Sequence, residues 1–148
     1  MKINIKFVKT NSEISSCFEV MRELRPHITK QDFTNRIRQQ EKEDYRLVCL
    51  AEDNKVLAVA GFRLGLNLAW GRFLYVDDLV TLSRYRSLGY GSKLLKWLMN
   101  YAGQQDCDQF HLDSGVWRAE AHRFYEREGL ELSSYHFRKI LKSPTREQ

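Results

Sequence analysis

An apolar strand that runs through a basic, glycine-bearing turn straight into an amphipathic helix limits this chain more than any other feature. The run is Leu79-Val80-Thr81-Leu82-Ser83-Arg84-Tyr85-Arg86-Ser87-Leu88-Gly89-Tyr90-Gly91-Ser92. Glycine lets a backbone approach a ligand closely and take φ values that other residues avoid. A helix start presents unpaired N–H groups and the positive end of the helix dipole. The segment is therefore a candidate anion cradle suited to a pyrophosphate, with Arg84 and Arg86 at its lip. Downstream, Leu94, Leu95, Leu98, Met99 and Ala102 fall on one stripe, which predicts a helix from Leu88 to Gly103.

The rest of the chain reads as alternating strands and helices. Ile3, Ile5 and Phe7 alternate with Lys2, Asn4 and Lys6, the pattern of a half-buried strand. Ile14, Cys17, Phe18, Met21 and Leu24 keep helical spacing after a Thr10-Asn11-Ser12 start and before Pro26. Thr29 and Asp32 resemble a capping pair for a second helix over residues 30–41, whose apolar face, Phe33 and Ile37, is thin. Arg46–Ala51 and Val56–Leu64 flank Glu52-Asp53-Asn54-Lys55, a hairpin signal. A greasy connection, Gly65–Gly71, leads to a strand over Phe73–Leu82. A short strand is expected at Gln109–Asp113, a helix around Trp117, Ala121, Phe124 and Tyr125 ending at Gly129, and final strands within Leu130–Leu141. The order β-α-α-β-β-β-α-β-α-β predicts an α/β layered fold with a sheet of mixed direction. Residues 1–142 read as one domain and Ser143–Gln148 as a polar tail.

Composition narrows the function classes. With 43% hydrophobic and 29% charged residues the chain is an ordinary globular protein. It has no apolar run of membrane-spanning length and no signal-peptide start, so a cytoplasmic protein without membrane contact is expected. Cys17, Cys49 and Cys107 are odd in number and lack ligand spacing, as expected for reduced thiols; no metal is predicted. The net charge of +5 is spread among acids, so nucleic acid is not expected as a partner.

Two segments carry a resemblance. Arg86-x-x-Gly89-x-Gly91, preceded by Asp77-Asp78-Leu79-Val80, resembles the acyl-CoA signature of the GNAT superfamily of N-acetyltransferases. Ala121-His122-Arg123-Phe124-Tyr125, followed by Gly129-Leu130, is similar to that superfamily's second signature. Leu130 stands where the family often has Phe, and Thr81 where it often has Val. The resemblance implies a mostly antiparallel central sheet flanked by helices. It also implies transfer of an acetyl group from acetyl-CoA to a small-molecule or peptide amine, and a homodimer. A softer likeness links His122–Leu141 to aminoalkylphosphonate acetyltransferases and Asp77-Asp78-Leu79 to polyamine acetyltransferases.

Acetyl transfer makes four demands. The pyrophosphate needs donors, supplied by the Arg86 side chain and the backbone of Arg86, Ser87, Leu88, Gly89, Tyr90, Gly91 and Ser92. The amide-rich pantetheine needs an open strand edge, Leu79-Val80-Thr81. The thioester carbonyl needs an N–H donor, from Leu79 or Val80. Protons must leave the amine and reach the thiolate. Asp77 or Asp78 is the candidate base, through a water, with Asp78 preferred from the motif; the two are expected on opposite strand faces. Their other reading is an electrostatic anchor for a cationic amine. Tyr125 is the candidate acid. Arg22, Arg25 and Arg63 are candidates to recognise an amine that also carries carboxylate or phosphonate. The competing function is a non-catalytic acyl-CoA-binding module, which has no use for Asp78 or Tyr125.

Overall fold

The computed structural model describes residues 2–142. Strands β1 (Ile3–Phe7), β2 (Tyr45–Glu52), β3 (Lys55–Asn67), β4 (Gly71–Thr81) and β5 (Gln109–Leu112) form one sheet in the order β1-β2-β3-β4-β5. Each neighbouring pair among the first four is antiparallel and β5 is parallel to β4, so the sheet is mixed and mostly antiparallel as expected. Helices α1 (Asn11–Ser16), α2 (Phe18–Leu24) and α3 (Lys30–Glu41) connect β1 to β2, α4 (Tyr90–Gln104) connects β4 to β5, and α5 (Ala119–Arg127) follows β5.

Each face of the sheet has its own core. On one face α1–α3 bury Ile14, Cys17, Val20, Met21, Phe33 and Ile37 against Leu47, Cys49, Val59 and Val80. On the other, the α4 stripe of Leu94, Leu98 and Ala102 packs on Val48, Leu50, Ala60, Phe62, Leu74 and Val76. The thin face of α3 is fully used: Phe33 and Ile37 are both buried, and Phe18 meets Phe33 with ring centroids 5.5 Å apart. Burial of a side chain like Phe33 is worth about 1.5–3 kcal/mol, enough to hold a helix with few other apolar residues.

Local chemistry explains the element ends. Thr10 and Glu13 form a reciprocal capping box at α1. Thr29 accepts the Asp32 N–H at the start of α3. The β2–β3 turn places Asp53 and Asn54 at positive φ, the geometry that two-residue hairpin turns demand. The first long helix is broken in two at the buried Cys17, whose N–H turns back to Ile14 and Ser15.

One expectation fails. Leu130–Leu141 forms no strand: the backbone after Gly129 carries no secondary structure, and every residue from Glu131 to Lys142 is exposed. The alternating apolar residues are there, but among the described residues no neighbouring strand takes up their backbone hydrogen bonds. The tail expected at Ser143–Gln148 lies outside the described residues.

Candidate active site

Strand β4 is long and β5 is short, and the mismatch opens the sheet. The last β4–β5 pair is Val76 with Leu112, whereas β3 stays paired with β4 as far as Thr81. From Asp77 to Thr81 the outer edge of β4 has no strand beside it among the described residues, and Leu79, Val80 and Thr81 lie on that edge. Such an edge offers backbone donors and acceptors to an extended ligand.

At the end of β4 the chain makes one 3-10 turn, Ser83–Tyr85, and enters α4. Ser87 and Gly89 both have positive φ, and Gly89 is the helix cap without any side-chain capping bond. The first backbone bond into the helix is Lys93 N–H to the Gly89 carbonyl, 3.0 Å. Among the described residues the amides of Ser87, Leu88, Gly89, Tyr90, Gly91 and Ser92 therefore donate to no recorded acceptor. The cradle differs from expectation at Arg86. Its N–H already bonds the Ser83 carbonyl, and its guanidinium bonds the Thr81 carbonyl at 3.1 Å and Glu23 at 3.2 Å. Glu23 also takes the Ser83 N–H at 3.0 Å, so the Arg86 side chain braces the turn rather than lying free at its lip.

The two glycines act differently. A Cβ on Gly89 would meet nothing within 4 Å, so Gly89 is required by its φ of 89° alone. A Cβ on Gly91 would lie 3.4 Å from Thr81 Oγ1 and 3.7 Å from the Phe124 ring, so the α4 start, the β4 end and α5 converge on this glycine. A single methyl makes ordinary contact there, and a branched side chain adds bulk beside the same two groups. An acyl-CoA cofactor fits this set of groups, because unsatisfied amides and an open strand edge adjoin one another.

Asp77 and Asp78 do not alternate in the way a regular strand requires. The β3–β4 register shifts at Gly61/Phe62, pairing Gly61 with Asp78 and Phe62 with Val76, so Asp77 is the extra residue of a β-bulge. Both carboxylates reach the same cross-strand row, in which Tyr45 lies opposite Arg63 and Arg63 opposite Tyr75. Arg63 clamps Asp77 with two bonds of 2.8 and 2.9 Å. Asp78 accepts from Arg25 Nε and from the Tyr45 hydroxyl, each at 2.8 Å, and Arg25 also donates to the Asp77 carbonyl at 2.9 Å. Burial, followed by the adjacent Asp78 charge, pushes the Tyr45 phenol well above its ordinary value, so it remains a donor. Gly61 is essential to this arrangement, since a Cβ would run into the Tyr45 ring. Arg22 makes no recorded bond to this network, while Arg25 and Arg63 are its two cations.

Tyr125 lies on α5, half-buried, with its ring 5.3 Å from Phe124. Among the described residues no group bonds its hydroxyl, and burial raises its pKa, which keeps the phenol protonated at neutral pH. His122 bonds the Gly115 carbonyl at 2.8 Å and has a structural task.

Sequence reasoning missed two groups. Ser114, just past β5, has a buried Oγ without a partner. Glu128, at the end of α5, accepts the Ser92 hydroxyl at 3.0 Å through one carboxylate oxygen, while the other is buried and unpartnered. A carboxyl oxygen thus already sits at the first turn of α4. Neither residue carries a local pattern; only the convergence of α4, β5 and α5 identifies them. Among the described residues no group of three or more His, Cys, Asp or Glu side chains is placed to hold a metal ion, and no helix is long and apolar enough to cross a membrane.

Comparison with known proteins agrees with this geometry. The family model for the acetyltransferase (GNAT) family matches residues 9–130. The uncharacterized N-acetyltransferase YhdJ of Bacillus subtilis (strain 168) is 32% identical over 139 residues, covering 93% of this chain and 98% of that protein. The aminoalkylphosphonate N-acetyltransferase of Salmonella typhimurium is 38% identical over 66 residues, 45% of this chain and 43% of that protein. The fold is also that of AAC(6')-Iy, solved in complex with the bisubstrate analogue CoA-S-monomethyl-acetylneamine. That structure has a TM-score of 0.78 at 10% identity, with 97% of this chain and 100% of the other covered. A family match spanning most of the chain, joined to a relative aligned along nearly its whole length, is decisive: the chain belongs to the acetyltransferase (GNAT) family and is an N-acetyltransferase.

Proposed function

We propose that this protein transfers the acetyl group of acetyl-CoA to a primary amine by direct attack within a ternary complex. The observation that carries the reading is the run of undonated amides from Ser87 to Ser92 beside the open edge of β4. Acetyl-CoA supplies the activated acyl group. The amides of Ser87–Ser92 hold its pyrophosphate, while the Leu79–Thr81 backbone pairs with its pantetheine. A Leu79 or Val80 N–H polarises the thioester carbonyl. The amine nitrogen bonds the acyl carbon, the carbon–sulfur bond breaks, the amine loses a proton and the sulfur gains one.

Asp78 is the base of this reading, through a water. One of its oxygens faces only the neutral Tyr45 hydroxyl, whereas both oxygens of Asp77 are clamped by Arg63. Asp77 is accordingly the anchor. Tyr125 returns the proton to sulfur; its raised pKa and unengaged hydroxyl support that role. Arg25 and Arg63 neutralise the two aspartates, which weighs against a polycationic acceptor. Each guanidinium also keeps a nitrogen with no recorded partner among the described residues, and this favours an amine bearing a small carboxylate or phosphonate. The likeness to an aminoalkylphosphonate N-acetyltransferase points the same way.

The test is thiol release from acetyl-CoA with mass-spectrometric detection of acetylated product, across aminoalkylphosphonates, amino acids, polyamines and lysine peptides. Turnover on an amine that carries an anion is the expected result. Binding of acetyl-CoA without turnover on any amine would leave the non-catalytic module as the better reading.

A further inference from the structure

Helix α5 carries Tyr125, yet little holds this helix in place. None of its nine residues is buried, and Arg118 at its start makes no side-chain capping bond. The bond from His122 to the Gly115 carbonyl stays within the segment that leads into the helix. A helix in a globular protein is held mainly by an apolar face pressed into a core, and here that face is only half-covered.

At two points α5 meets the cofactor cradle. The Phe124 ring lies 3.7 Å from the Cβ that Gly91 lacks, which sets how closely α5 approaches α4. The Ser92 hydroxyl donates to the carboxyl of Glu128, the cap residue of α5, at 3.0 Å. Among the described residues this is the one side-chain hydrogen bond recorded between α5 with its cap and either the sheet or α1–α4. Apolar contact has no direction, so a ring packed on a glycine leaves the helix free to slide and turn. A hydrogen bond has a preferred length and angle, so it sets the register. Tyr125 and Glu128 are three residues apart and adjoin on one helix face, so fixing one places the other. The bond is half-buried, and the second Glu128 oxygen is buried without a partner. An unpaired buried oxygen costs stability. An apolar side chain would hold the fold better at that position, which argues that Glu128 has a task other than stability.

We propose that the Ser92–Glu128 bond is a tether that ties α5 to the acetyl-CoA cradle and fixes the Tyr125 hydroxyl at the leaving sulfur. Glu128 is a positioning residue acting through Tyr125, and the inference rests on the acid role given to Tyr125 above. Ser92 then serves twice: its amide faces the pyrophosphate, and its hydroxyl grips the helix that carries the acid. Misplacing a reacting group by about 1 Å can cost on the order of 100-fold in rate, so one bond can matter this much.

The experiment compares Glu128→Ala, Ser92→Ala and Glu128→Gln, each made both with Tyr125 and with Tyr125→Phe. Single-turnover thiol release, acetyl-CoA affinity by calorimetry and melting temperature are read for all. With Tyr125 present, Glu128→Ala and Ser92→Ala each slow release by about tenfold or more. Glu128→Gln keeps an oxygen for the Ser92 hydroxyl and stays within about threefold of the wild type. In the Tyr125→Phe background the same changes alter the rate by less than about twofold, because the group they position is gone. Melting temperature and acetyl-CoA affinity hold steady, since the Ser92 amide is retained and α5 buries no residue. Wild-type rates in Glu128→Ala and Ser92→Ala, equal losses in both backgrounds, or losses that only follow acetyl-CoA affinity would overturn the tether. A wild-type rate in Tyr125→Phe would overturn the acid reading and this inference with it. A slow Tyr125→Phe beside fast tether variants would overturn the tether alone.

Discussion

Tyr125→Phe isolates a single hydroxyl. Among the described residues that hydroxyl bonds nothing, and the ring packing on Phe124 is the same for Phe as for Tyr. The change therefore deletes no hydrogen bond, and stability should move by no more than about 0.5 kcal/mol. A proton donor to a leaving group contributes about 100- to 10,000-fold. At about 1.4 kcal/mol per decade, that is roughly 3–5 kcal/mol of barrier. Burial raises the phenol above its ordinary value of 10.0, so the wild-type donor is protonated across the neutral range. The single-turnover rate of thiol release should thus fall by two to four decades while acetyl-CoA affinity and melting temperature hold steady. The alkaline limb of the wild-type rate profile, set by loss of the phenolic proton, lies above pH 10.0 and should vanish in the variant. A wild-type rate would refute the acid role, and so would a rate loss that merely follows a loss of cofactor binding.

Gly61→Ala drives a methyl into the Tyr45 ring and pushes that phenol off Asp78; denaturant unfolding should show a loss of about 1–3 kcal/mol, with a raised Michaelis constant for the amine. Glu13 accepts the Thr10 and Lys9 amides, which hold its carboxyl at about 2 against an ordinary 4.5. That contribution is present above pH 4.5 and is lost as pH falls through about 2, so Glu13→Gln should flatten the acid side of the stability profile in circular dichroism. Ser114→Ala removes a buried hydroxyl that has no partner in the protein; stability should be unchanged or slightly improved, and any fall in acetyl-CoA affinity by calorimetry assigns the hydroxyl to the cofactor.

What the residues reveal in advance depends on the range of the interaction. In the α4 stripe Leu94, Leu95, Leu98 and Ala102 are buried and Met99, at its margin, is half-buried, because helical period alone determines which side meets the sheet. The Asp53-Asn54 turn and the Thr10 cap are equally local. The bulge at Asp77 is not visible, since one extra residue in an apolar strand leaves no mark on a two-residue period. Nor are the partners of Asp78, which lie 53 and 33 residues away. Apolar spacing runs unbroken through Cys17, where the backbone nonetheless turns. The segment beyond Leu130 reads as a strand because alternation records which side chains share a face, not whether another strand is present. The brace on Arg86 is equally hidden, because Glu23 lies 63 residues away in sequence and 3.2 Å away in space.

The central claim is that the α4 start beside the β4 edge holds acetyl-CoA. Calorimetric titration with acetyl-CoA of the wild type, Gly91→Ala and Gly91→Val tests it most directly. The account predicts one site per chain in the wild type and near-wild-type affinity in Gly91→Ala, where a methyl only touches Thr81 and Phe124. It predicts at least a tenfold loss in Gly91→Val. No binding to the wild type, or equal affinity in all three, would contradict it.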